Sequence, residues 1–145
     1  MVTVALRYAE KFAPEGGTIK AHQDVIDENG FVWYGKIGQP LSGKTCELFE
    51  EYFSENQEAK ILLIHSGGTK RYWAYIDKVQ RDKPKEDYPQ YYGTLSCEMK
   101  TWFRVVRFEL APPNVMSTCR VKSSGASLSE VSKHSMSPFF IIECD

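Results

Sequence analysis

No uncharged apolar run in this chain approaches the roughly 18 residues that a membrane helix needs. The opening Met1-Val2-Thr3-Val4-Ala5 lacks a basic stretch followed by a long apolar core, so no secretory leader is expected. Cysteine is sparse and scattered. Cys46, Cys97, Cys119 and Cys144 form no Cys-x-x-Cys, and no histidine pair stands at ligand spacing. That excludes the common structural zinc patterns; the expectation is buried thiols in a reducing, cytoplasmic compartment. Enzyme signatures are missing too: there is no Gly-x-Ser-x-Gly and no His-Glu-x-x-His. Gly35-Lys36-Ile37-Gly38 and Gly43-Lys44-Thr45 look superficially like a phosphate-cradling loop, but phosphate cradling is not expected of them. His22, His65 and His134 lie far apart, and a histidine without a partner is no catalytic constellation. No catalytic residue, metal or cofactor is expected, which favours a binding domain over an enzyme.

What the chain does have is apolar and aromatic weight, 42% and 13% of its 145 residues. That is enough for one domain, residues 1–145, with an ordinary hydrophobic core. A net charge of −1 hides segregation. Residues 1–60 hold 6 Lys and Arg against 10 Asp and Glu, residues 61–125 hold 11 against 6, and the last twenty hold 1 against 3. The middle stretch can therefore turn a basic face to phosphates while the molecule stays near neutral.

Periodicity predicts the elements. Val2, Val4, Leu6 and Tyr8 alternate as a strand. Thr18 is placed to cap a helix running to about Glu28, with Ile19, His22, Val25 and Ile26 inward and Asn29-Gly30 as its stop. Phe31 to Ile37 forms a short strand. Ser42 precedes a helix whose Thr45, Leu48, Phe49, Tyr52 and Phe53 recur at helical spacing, opposite Glu47, Glu50, Glu51 and Glu55. Ile61 to His65 suits a strand covered on both faces, paired with Tyr72 to Val79 across Ser66–Lys70. Asp82 to Gln90 is a charged loop punctuated by proline. Trp102 to Leu110 is a strand with Trp102, Arg104, Val106, Phe108 and Leu110 on one face, stopped by Pro112-Pro113. Ser127 to Glu130 is a capping box opening a last helix, and Pro138 to Glu143 a closing strand. The sum is an α+β domain, a small mixed β-barrel or curled sheet with flanking short helices.

Gly30-Phe31-Val32-Trp33-Tyr34-Gly35 is the densest aromatic signal. Glycines around a Trp-Tyr pair let backbone approach a flat ligand, and rings beside small residues suit a nucleobase. The base-pocket candidates are Trp33, Tyr34, Gly35, His65, Ser66, Tyr91, Tyr92 and Trp102; Trp73, Tyr75 and Phe103 are expected in the core. The order helix, Gly-x-Val-Trp, amphipathic helix, Ile61-Leu62-Leu63-Ile64-His65-Ser66, glycine turn and aromatic strand resembles the YTH domain, which reads 6-methyladenine. More broadly it resembles the PUA-like superfamily, with EVE domains and the DNA-reading head of some McrB restriction subunits. The resemblance implies a PUA-like fold with Trp33 as one wall of an aromatic cage. It places a later cage aromatic near Tyr88, Tyr91 or Tyr92, and likens Met99 to Arg104 to the next core strand.

The functional expectation is a nucleic-acid-binding specificity module that holds a modified or flipped-out base of DNA or RNA. It would act with a nuclease or NTPase partner, as in restriction or phage defence, and with no membrane. Lys70, Arg71, Arg81 and Arg104 are expected to position phosphates at the pocket rim, helped by Lys78 and Arg107. Two alternatives stand beside it. One is an ASCH-like ribonuclease using Lys100, Arg104 and a nearby acid. The other is a sensor of a free nucleotide-like molecule, which salt dependence would separate from a polymer binder.

Overall fold

Each strand segment expected from alternation forms, and one more joins them. The computed structural model describes residues 1–8, 10–65 and 68–145. In chain order it contains β1 (Val2–Arg7), α1 (Gly17–Asn29), β2 (Val32–Ile37), α2 (Gly43–Ser54), β3 (Ala59–Ile64) and β4 (Tyr72–Gln80). Then come β5 (Met99–Leu110), α3 (Val115–Thr118), β6 (Cys119–Val121), α4 (Leu128–His134) and β7 (Phe139–Cys144). Tighter 3-10 turns occupy Glu10–Phe12 and Gln90–Glu98. The strands hydrogen-bond in the order β2-β5-β4-β3-β1-β7-β6, so β2 and β6 are its ends. Among the described residues the sheet is not closed, in keeping with the curled-sheet form of the expected α+β fold. No described helix is long and apolar enough to cross a membrane.

Two compact units alternate along the chain. One takes residues 1–8, 60–74 and 109–145, the other 9–59 and 75–108. Two of the crossings fall inside β4 and β5, where no proline, glycine or change of composition marks a boundary.

In the first unit β1 is buried from Thr3 to Leu6 because it has a neighbour on each side. β3 runs parallel to it, with Ala5 opposite Leu62, and β7 antiparallel, with Val4 opposite Ile141. The one hydroxyl in this run, Thr3, donates to the Lys60 carbonyl at 2.5 Å, so no polar group is stranded. β7 pairs with β6, and their register sets Cys119 directly opposite Cys144. These two form a disulfide, while Cys46 is a half-buried thiol and Cys97 an exposed one. That corrects the expectation of buried thiols: the pair is 25 residues apart, and only the register of a three-residue strand brings it together. α4 starts at Ser127 as expected, but the serine side chain caps nothing; its carbonyl takes the Glu130 N–H instead, at 3.1 Å.

In the second unit α1 is capped from elsewhere than Thr18. Its N-cap is Gly16 at φ 100°, and Glu10 Oε1 accepts the Thr18 N–H at 2.9 Å. Thr18 therefore lies inside the first turn, buried, while Gly30 ends the helix as expected. In α2 the Ser42 hydroxyl accepts the Thr45 N–H at 3.2 Å, and the fully buried Phe49 meets Phe103 edge-on. β5 begins three residues earlier than predicted and pairs with β2, Trp33 opposite Arg104 and Gly35 opposite Trp102. Trp102 and Phe103 are both fully buried, so this half of β5 is covered on both faces. Its far half is not, and Val106 and Leu110 are exposed.

Candidate functional site

The loop before Gln90 is tied to the end of α1 and the start of β2. Trp33 N–H donates to the Asp87 carbonyl at 2.8 Å, and Asn29 Nδ2 to Asp87 Oδ1 at 3.0 Å. The 3-10 segment Gln90–Glu98, broken at Gly93, then carries Tyr91, Tyr92 and Leu95. The outcome is a buried cluster of Trp33, Tyr92, Met99 and Trp102, edged by the partly buried Phe31, Tyr88, Tyr91 and Leu95. Tyr88 stacks on Tyr92 at 5.8 Å and 18°, and tilts against Trp102 at 5.5 Å. Tyr91 meets Tyr92 edge-on at 5.2 Å.

Beneath the rings runs one chain of hydrogen bonds whose directions are determined. His22 is fully buried, and burial lowers its pKa to about 4, so it is neutral. Its Nδ1 lies 2.8 Å from the Thr18 carbonyl, which only accepts, so Nδ1 carries the proton. Nε2 is then an acceptor, and the Tyr92 hydroxyl donates to it at 2.5 Å. The same hydroxyl oxygen accepts the Gly35 N–H at 3.2 Å. Burial first, then neighbouring Tyr34 and Tyr91, push the Tyr92 phenol well above its ordinary pKa, which keeps it a donor. The aromatic site thus rests on an uncharged, saturated polar core.

Gly35 has a steric reason to be glycine. A Cβ there would run into the Met99 side chain, from Sδ back to Cβ. Gly35→Ala should therefore cost about 1–3 kcal/mol by overpacking. The double variant Gly35→Ala/Met99→Ala should be more stable than the two single costs added together, measured by urea unfolding; simple additivity would mean that the two residues do not press on each other.

Of the residues singled out from sequence, Trp33, Tyr34, Gly35, Tyr91, Tyr92 and Trp102 gather here, Tyr34 on the side of His22 at 5.0 Å. Trp33 is only 7% exposed and Trp102 fully buried, so the rings open to solvent are the rim ones. His65 belongs to the other unit, its ring 5.2 Å from that of Tyr8, and Lys70 and Arg71 belong to that unit as well. Ser66 lies outside the described residues. Arg81 donates to the Leu41 carbonyl at 2.7 Å. Arg104 makes a two-pronged contact with Asp77, at 2.7 and 3.0 Å, and its guanidinium lies 5.1 Å from the Phe31 ring centre. That ion pair is exposed and worth about 0–1 kcal/mol, so a phosphate can compete for Arg104. Sequence reasoning left out His22 and gave Tyr88 only a loose place; the one signal for His22 was its position on the inward face of α1.

Gly38 to Thr45 does have the full spacing Gly-x-x-x-x-Gly-Lys-Thr, and it joins β2 to α2. Geometry, rather than spacing, argues against a phosphate cradle. Gly38 N–H bonds the Glu98 carbonyl, Leu41 N–H the Thr101 hydroxyl, and Thr45 N–H the Ser42 hydroxyl. Lys36 and Arg81 hold the Gln39 and Leu41 carbonyls at 2.6 and 2.7 Å. Three of the loop's amides are thus taken by acceptors of the protein itself, and its carbonyls hold two of the protein's own cations. Among the described residues no three His, Cys, Asp or Glu are grouped to hold a metal.

A family model described as Pua-like matches residues 4–137 of the chain. No curated protein and no solved structure gives a match.

Proposed function

Because the chain belongs to the Pua-like family, whose domains generally bind RNA or other nucleic acids, we propose that it takes one unstacked base against the Trp33–Tyr92–Trp102 cluster. The supporting observation is the layered arrangement of rings: partly exposed Phe31, Tyr88 and Tyr91 over buried Trp33, Tyr92 and Trp102, with Arg104 beside Phe31. Taking a base out of its stack costs a few kcal/mol, and each aromatic face returns about 1–3 kcal/mol. A base first meets the rim rings. Tyr88, stacked on Tyr92 and tilted against Trp102, would have to give way before a base reached those buried rings. An uncharged, ring-lined site suits a flat base bearing an added methyl group, and Arg104 beside Phe31 and Lys83 beside Tyr88 are cations that would meet flanking phosphates. As a reader of a modified base, the domain would supply specificity to a nuclease or NTPase in a restriction or phage-defence assembly.

Tyr88→Ala and Tyr91→Ala test this. Both residues are half-buried at the edge of the cluster, so each variant should stay folded at a lowered urea midpoint while losing about tenfold in affinity for an oligonucleotide with one modified base. Trp33→Ala is a poorer probe, since truncating a ring this buried opens the core. Fluorescence anisotropy with a panel of singly modified strands gives the readout, and unchanged affinity in both tyrosine variants would remove the site.

A further inference from the structure

In the unit built from residues 1–8, 60–74 and 109–145, a cavity of about 320 Å³ is lined by Arg7, His65, Arg71 and Lys133 among its polar groups, with no Asp or Glu in its wall. Two of the cations are held by backbone. Arg7 donates to the carbonyls of Ser132, Ser135 and Ser137 at 2.8–2.9 Å, at the C-terminal end of α4. Arg71 Nη1 donates to the Thr69 carbonyl at 3.0 Å, but its Nε is buried with no hydrogen-bond partner among the described residues. Lys133 lies 3.6 Å from Glu130 in an exposed pair that offsets little of its charge. A buried donor without an acceptor is unfavourable, and a guanidinium presents donors in the spacing that tetrahedral oxyanions accept. We infer that this cavity is a phosphate-binding site, one that owes nothing to the aromatic cluster.

The phosphate can come from a nucleic-acid backbone or from the terminal group of a small molecule, and one experiment addresses both. The full chain is titrated with inorganic phosphate against chloride at matched ionic strength, following the His65 ring signals by NMR. The site predicts a saturable shift with phosphate and none with chloride. Arg71→Gln should weaken binding about tenfold or more, and Lys133→Gln, on an exposed side chain that leaves the fold alone, severalfold. A dinucleotide with an internal phosphodiester and a nucleoside monophosphate are then run as competitors. Displacement by the diester assigns the site to a polymer backbone; displacement by the monoester alone assigns it to a terminal phosphate. A linear response shared with chloride, or full affinity retained in both variants, overturns the inference.

Discussion

Between pH 6.5 and pH 4 the protein should lose roughly 3 kcal/mol of folding stability through one residue, His22. The folded pKa of His22 is lowered by burial from 6.5 to about 4, with the Thr18 hydrogen bond opposing the shift. Within that window the unfolded chain binds a proton that the folded one refuses. Stability is therefore complete above pH 6.5, falls by about 1.4 kcal/mol per pH unit below it, and levels off once the folded state also protonates, near pH 4. Protonation would place a charge on a fully buried ring and would break the bond donated by Tyr92, since Nε2 could no longer accept. His22→Gln cannot titrate, so its stability at pH 7 should be lower but nearly flat across the window. Urea midpoints of both proteins at pH 7.5, 5.5 and 4.5 decide the matter; parallel decline would place the acid sensitivity elsewhere.

Loss of the Cys119–Cys144 bond should cost about as much, roughly 3 kcal/mol, because it closes a loop with a sequence separation of 25. For a chain of this size that is a fall of roughly 6–12 °C in melting temperature. Cys119 is fully buried and Cys144 is 9% exposed, so reductant reaches the bond slowly in the folded state. Cys119→Ser/Cys144→Ser should therefore show the full effect where brief dithiothreitol does not. Thiol titration of the unreduced, denatured protein should count Cys46 and Cys97 alone, and a count of four would refute the pairing.

The elements legible in the sequence were those whose signal is local. β1 and β3 announce themselves by alternation and by an apolar run, α2 by Ser42 and a helical stripe, and the end of α1 by Gly30. What stayed hidden depends on partners distant in the chain. Glu10 caps α1 from outside it, Cys119 meets Cys144 through strand register, and Gln90–Glu98 has no periodicity to reveal its turns. The same division runs through the candidate site. Trp33, Tyr34 and Gly35 are consecutive and stand out; His22 and Tyr92 meet across 70 positions, which no spacing rule reports. Basic residues were visible as charge but not as geometry, because Arg104 finds Asp77 and Arg71 faces a cavity only after folding.

The alternation of the two units along the chain has a consequence for how the protein is made. Every residue of the aromatic unit has been added by residue 108, so its strands and helices can assemble while synthesis continues. The other unit cannot. β1 precedes the other strands of its unit, yet its antiparallel partner is β7, with Val2 opposite Glu143. One edge of β1 must wait, unpaired, for almost the whole chain. Closing so distant a contact is slow, and an apolar strand left with an open edge is a template for pairing with another molecule. The stretch most exposed to misassembly is therefore β1, whose partner strand lies farthest along the chain.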